Sequence, residues 1–152
     1  MKLFLVRHGL AGNGDDPSLT PKGQKKVRRI AEFLGSAGVR AERVIHSHLK
    51  RAIETAEIIA PFVAPGFELE EIDGLQPESP TRIALGLIEE LTKDTMLVGH
   101  MPHLGFLAAR LLTGRDDGAI IEFRRAGAVC LEREDAEYGW ALNWSIRPGL
   151  LK

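Results

Sequence analysis

Leu3-Phe4-Leu5-Val6 is an unbroken apolar run. Successive side chains of a strand point to opposite faces, so a strand with one wet face alternates apolar and polar residues. A run without alternation predicts a strand covered on both sides, as in a parallel sheet packed between helices. Arg43-Val44-Ile45-His46 and Met96-Leu97-Val98 hold two further runs, and Phe67-Glu68-Leu69 a weaker one. The segments between them have helical spacing. Val27, Ile30, Ala31 and Leu34 follow Thr20-Pro21, an N-cap with a first-turn proline, and end at Gly35 and Gly38. Leu49, Ala52, Ile53, Ala56, Ile59 and Ala60 make a second helix that Pro61 is expected to stop. Ser79-Pro80 repeats the cap-and-proline start before Ile83, Leu87, Ile88 and Leu91. A fourth helix runs from about Pro102, with Leu104, Leu107, Ala108, Leu111 and Leu112 inward.

After Gly114 the texture changes. Ile120-Ile121-Glu122-Phe123, Ala128-Val129-Cys130-Leu131 and the alternating Trp140, Leu142, Trp144 and Ile146 read as strands, with Asp135 to Gly139 as a hairpin connection. The expected fold is α/β: a single three-layer α/β/α domain over residues 1–152, its central sheet mostly parallel and finished by antiparallel C-terminal strands. A chain of 152 residues can bury a full core of this kind without covalent staples.

Charge and cysteine content narrow the partners. Lys plus Arg number 20 and Asp plus Glu 21, a net charge of −1, so no global attraction to nucleic acid or an anionic membrane is expected, although a local basic pocket is compatible. Cys130 is the one cysteine, which fits a reducing compartment. No apolar run approaches a membrane span, and the opening run, closed by Arg7, is too short for a signal-peptide core. A cytoplasmic location is expected.

Three polar clusters follow three of the runs: Arg7-His8-Gly9, His46-Ser47-His48-Leu49-Lys50-Arg51, and Gly99-His100-Met101-Pro102-His103. Ligands of open α/β sheets bind beyond the carboxyl ends of the strands, so all three should face one edge. Two of them precede helices, whose free N–H groups favour anions. Arg7, Arg51, His8 and His100 together describe a site for a small dianion such as phosphate. Each alone has a plainer reading. Arg7 is acceptable as a surface charge, His8 as a loop histidine bonded to backbone, and Ser47 as a helix cap. Arg51 fits a solvated helix face with Glu54 or Thr55 as partner, and His100 fits a buried, satisfied histidine. The coincidence at three corresponding strand ends is what argues for a site.

His46 with His48, and His100 with His103, raise the idea of zinc. No acidic or cysteine ligand stands at metal spacing beside them, and Arg7 and Arg51 would repel a dication, so no metal or other cofactor is expected. Glu68-Leu69-Glu70-Glu71 reads as an exposed strand edge. The basic stretch from Lys22 to Arg29 reads as a solvated helix face, with docking of an acidic protein as the sharper alternative.

Leu5-Val6-Arg7-His8-Gly9, Ser47-His48-Leu49-Lys50-Arg51-Ala52-Ile53-Glu54-Thr55-Ala56 and Val98-Gly99-His100-Met101-Pro102-His103-Leu104 resemble, in order, the three motifs of the histidine phosphatase superfamily, the phosphoglycerate-mutase-like proteins. The short chain, Leu19-Thr20-Pro21-Lys22-Gly23 and Asn143-Trp144-Ser145 resemble its small SixA-type phosphohistidine phosphatase branch. The resemblance implies that His8 is the nucleophile that becomes phosphorylated, that Arg7 and Arg51 clamp the phosphoryl oxygens, and that His100 stabilises their charge. Gly9, Asn13, Ser47 and Met101 are further pocket candidates. Larger members often carry a glutamate where Leu10 stands, and place their general acid on an insertion that is short here. Asp15, Asp16, Asp73 and Glu78 are the acids available, and no motif selects one. A missing acid matters less for phosphohistidine than for an alkyl monoester, whose alkoxide leaves poorly unprotonated. The expectation is a phosphatase acting on a phosphorylated protein of histidine-phosphotransfer or phosphocarrier type. A small-molecule phosphomonoesterase and a non-catalytic phosphate-binding module are the rivals.

Overall fold

The computed structural model describes residues 1–115 and 117–151. Its strands are β1 (Lys2–Arg7), β2 (Arg43–His46), β3 (Leu69–Glu71), β4 (Thr95–Gly99), β5 (Ala128–Glu132) and β6 (Ala141–Ile146). They form one sheet in the order β3-β2-β4-β1-β5-β6. The first four are parallel, with Leu5 and Ile45 both in register with Leu97. β5 joins β1 antiparallel, and β6 joins β5 antiparallel. The α/β class, the parallel centre and the antiparallel finish are as the apolar runs predict.

Helices α1 (Pro21–Ser36) and α2 (Lys50–Val63) cover one face, and α3 (Thr81–Glu89) and α4 (His103–Thr113) belong to the core on the other. β1 shows why its run does not alternate. Phe4 and Val6 pack with Val27, Ile30 and Ile59 on one side, while Leu3 and Leu5 pack with Leu104 and Leu107 on the other. Each such side chain contributes about 1.5–3 kcal/mol on burial. Cys130 lies within the first of these cores, fully buried, and burial pushes its thiol pKa up to about 11. Among the described residues no helix is long and apolar enough to cross a membrane.

Several details differ from expectation. Pro61 does not stop α2, which continues to Val63; a proline lacks only its own N–H, and Ala64 N still donates to Ala60 O at 2.8 Å. Ser79 does not cap α3: its hydroxyl donates to Gln76 Oε1 and the helix begins after Pro80. That helix buries Ala84 and Ile88 and leaves Ile83 largely exposed. β3 starts at Leu69, two residues later than its apolar signal, as an edge strand. Ile120 to Phe123 is irregular rather than a strand. The alternating Trp140, Leu142, Trp144 and Ile146, of which β6 holds the last three, do not share a face either. Cys130 pairs with Trp144 but Leu131 with Leu142, so a bulge intervenes. Trp144 and Ile146 accordingly pack on the α1/α2 core, with Trp144 6.1 Å from Phe4, whereas Trp140 packs on the other core.

Candidate active site

The carboxyl ends of β1, β2 and β4 meet at one edge, and His8 N donates to Gly99 O at 3.0 Å across it. Here lies a cavity of about 420 Å³ walled by Arg7, His8, Asp15, Arg51, Met101 and Arg125, among others. Its floor is built from close contacts. The loop after His8 runs so near the first turn of α1 that a Cβ on Gly23 would stand 2.1 Å from Leu10 O, and one on Gly9 would stand 2.6 Å from Val27. Only glycine fits at either place. Thr20 caps α1 by accepting from Gly23 N, and its own N–H donates to Leu10 O. Glu54 of α2 accepts Leu19 N, and Asp16 accepts Lys50 N at the start of α2, which has no cap of its own. Thr55 accepts Gly9 N at 3.0 Å while donating to Arg51 O at 2.7 Å. One hydroxyl thus fixes the loop of the first cluster to the helix turn of the second.

His8 is buried, and its Nδ1 lies 2.7 Å from Gly9 O. A carbonyl can only accept, so Nδ1 carries the proton and Nε2 keeps its lone pair. Arg51 Nε donates to that Nε2 at 3.3 Å. His100 is fully buried with its ring centroid 5.1 Å from that of His8. Its Nε2 is 2.5 Å from the Ser47 hydroxyl, which accepts Leu49 N on its other side. The hydroxyl hydrogen can donate to Nε2, an arrangement that would put the proton of the neutral ring on Nδ1. That Nδ1 has no partner among the described residues, and neither does Nε of Arg7. Arg7 spends Nη1 on Phe123 O at 2.8 Å.

Electrostatics keep both imidazoles neutral. Burial is the largest cause for His8, whose pKa falls to about 4. Arg51, Arg7 and Arg125 push the same way, and the bond to Gly9 opposes them. His100 falls to about 3, again first through burial and then through His8 and Arg51. A neutral histidine pair beside three guanidiniums suits an anion that brings its own charge.

Not every candidate reaches this cavity. Gly9 shapes its floor, Met101 lines it, and Ser47 sits behind His100. Asn13 is exposed and off the wall. Of the acids, Asp15 lines the cavity, Asp16 is engaged as the cap of α2, and Asp73 and Glu78 are exposed and off the wall. His46 bonds Ser47 O and His48 leans towards Gln76, so the two do not converge. Arg125 is the member that sequence reasoning missed. It follows the irregular segment and precedes β5, whose amino end reaches the same edge because β5 runs antiparallel to β1. The carboxyl-end rule, applied to parallel strands alone, passes over it; the Arg124-Arg125 pair just before an antiparallel strand is the signal that finds it.

A family model, the histidine phosphatase superfamily (branch 1), matches residues 3–96. The chain belongs to the histidine phosphatase superfamily. The match stops short of His100, which joins the site by geometry. An uncharacterized protein of Picosynechococcus sp. is 33% identical over 142 residues, covering 86% of this chain and 84% of its own. The phosphohistidine phosphatase SixA of Escherichia coli is 25% identical over 160 residues, covering 100% of this chain and 97% of its own. A structure of the protein histidine phosphatase SixA complexed with tungstate superposes with a TM-score of 0.90 at 26% identity, covering both chains completely. This superfamily member therefore shares the SixA fold from end to end, and membership supports phosphatase activity.

Proposed function

We propose that this chain hydrolyses phosphohistidine on a protein in two steps through phosphorylated His8. The observation that carries the reading is the bond from His8 Nδ1 to Gly9 O, which leaves the Nε2 lone pair beside Arg51. In the first step Nε2 attacks phosphorus, the P–N bond to the substrate imidazole breaks, and that imidazole leaves with a proton from solvent. In the second, water attacks the phosphorus, inorganic phosphate departs, and His8 recovers its lone pair. Arg7 and Arg51 neutralise the equatorial oxygens, and the unpartnered His100 Nδ1–H is the neutral donor to one of them.

The likeness to SixA along the full chain supports a phosphoprotein substrate. Tungstate is an oxyanion of phosphate's shape, and the SixA structure that holds it has the same fold. The cavity is open rather than roofed by an inserted domain, which suits a histidine carried on a protein surface. A cytoplasmic site of action belongs to the same reading and is in keeping with a single, buried cysteine. A second reading, hydrolysis of a small phosphomonoester, draws on Asp15 in the cavity wall as a proton donor.

Turnover of a phosphohistidine protein should leave an acid-labile, base-stable phosphoryl group on His8, read by rapid quench and peptide mapping. His8→Ala should abolish it. Label on another residue, or undiminished turnover in His8→Ala, rejects the mechanism.

A further inference from the structure

Beside the reaction cavity lies a second one of about 350 Å³, and Arg7 and Arg125 form the wall between the two. Its lining carries five cations, Arg7, Lys26, Arg124, Arg125 and Arg147, and no carboxylate. Such an excess is out of keeping with a chain of net charge −1. Arg124 is committed to Glu122 at 2.7 Å. Among the described residues, Lys26, Arg125 and Arg147 have no carboxylate within ion-pair distance. By contrast, Arg28 of the same basic stretch pairs with Glu32 and lies over Phe62. The free cations are gathered from three separate parts of the chain: α1, the turn before β5, and the residue that opens the C-terminal 3₁₀ turn at Pro148–Leu150.

The turn is held firmly. Ala126 takes φ +61, the left-handed region that an L-residue seldom occupies, and its N–H is shared between Arg7 O and His8 O at 3.1 Å each. Arg7 N donates to Gly127 O, and Gly127 N to Arg124 O. The backbone that bears Arg125 is thereby fixed to the two residues that carry the reaction. Like-charged groups gathered without counter-charge repel one another and disfavour the folded state. An anionic ligand removes that repulsion.

We propose that this cavity is a second anion subsite, receiving a negatively charged group that the substrate carries next to its transferable phosphoryl. The group is a carboxylate of an Asp or Glu flanking the phosphohistidine, or a second phosphate on a small molecule; both offer oxygens to forked guanidiniums in the same way. The inference rests on the proposed phosphatase reading for its chemistry but not for its binding.

The test compares phosphohistidine peptides flanked by Asp and Glu with peptides flanked by Ser and Gln, with phosphoramidate as a substrate that has no flank. The wild type should favour the acidic peptide about 5- to 10-fold in kcat/KM, as expected for two exposed charge contacts. The preference should shrink in 0.5 M salt. Lys26→Gln with Arg147→Gln should remove the preference, and Arg147→Lys should restore part of it. Calorimetry with propane-1,3-bisphosphate and with inorganic phosphate tests the other source: tighter binding of the bisphosphate that depends on Lys26 and Arg147, without a peptide preference, assigns the subsite to small molecules. Equal kcat/KM for both peptides together with equal affinity for both phosphates overturns the proposal. If no phosphohistidine substrate or phosphoramidate is turned over, the phosphatase reading fails, and the calorimetric comparison still decides the subsite.

Discussion

The two ends of the parallel strands solve opposite problems with the same residue types. At the amino ends the polar groups are consumed. Asp94 accepts Lys2 N at 2.7 Å with its side chain and Glu42 N with its carbonyl. Arg43 meets Glu70 through two parallel bonds of 2.9 and 2.7 Å. At the carboxyl ends, Arg7 and Arg51 face a cavity in which Asp15 is the one lining acid, and the four buried, partnerless side-chain atoms among the described residues belong to Arg7, His100 and His103. Buried polar atoms are nearly always satisfied. Their concentration at one edge marks where bonding capacity is kept for something that arrives. Arg43 is an arginine that has finished its work, and Arg7 is one that has not.

That contrast can be broken from either end. The largest effect is expected at the carboxyl edge, where His100→Ala should lower kcat about 10²–10³-fold if His100 is the proposed donor to the transferring phosphoryl. A variant that kept wild-type kcat would remove His100 from the chemistry. Acidification acts on the same edge. Both His8 and His100 have native pKa values, about 4 and about 3, below that of an unfolded histidine near 6.5. The unfolded chain therefore binds more protons in that window, and stability is full above pH 6.5 and falls as pH drops towards 4. Urea midpoints measured from pH 8 to pH 4 should show this decline, and His8→Gln should flatten it.

Arg51→Lys keeps the charge but loses the fork and should cost roughly 10-fold or more in kcat/KM. Unaltered kinetics there would make Arg51 a surface charge, like the exposed Arg28. At the amino edge the loss moves from activity to stability: Asp94→Ala should destabilise by about 1 kcal/mol, read by chemical denaturation, while kcat/KM stays within twofold. A kinetic loss in that variant would show that the two edges are not independent. The smallest effect is expected for Asp15→Asn, a few-fold at most on phosphohistidine. A loss of about a thousand-fold would instead make Asp15 the general acid and favour the phosphomonoester reading.

Much of this was visible in the residues, and the misses have a common cause. β1, β2 and β4 were legible because strands buried on both faces leave unbroken apolar runs, and α1 because Thr20-Pro21 marks its start. The clustering of Arg7, His8, Arg51 and His100 followed from strand ends that a parallel sheet brings to one side. What failed depended on contacts distant in sequence. The bulge at Cys130 and Leu131 moves Leu142 away from the face of Trp144, and no periodicity shows where a bulge falls. Ile121 and Phe123 are buried without belonging to a strand, so apolar character there signals core contact and nothing more. Arg125 was invisible because its place depends on β5 running against β1.

Cys130 turns the interior of this sheet into its own witness. A thiol that is buried in the core, with its pKa raised to about 11, offers almost no thiolate to an alkylating reagent while the strands are closed. Labelling then counts only molecules in which the packing around β5 has opened. Its rate under native conditions reports the free energy of that opening wherever closing outruns modification. Modification of this residue in cell extracts would distinguish a loosened molecule from an inhibited one, with no engineered probe.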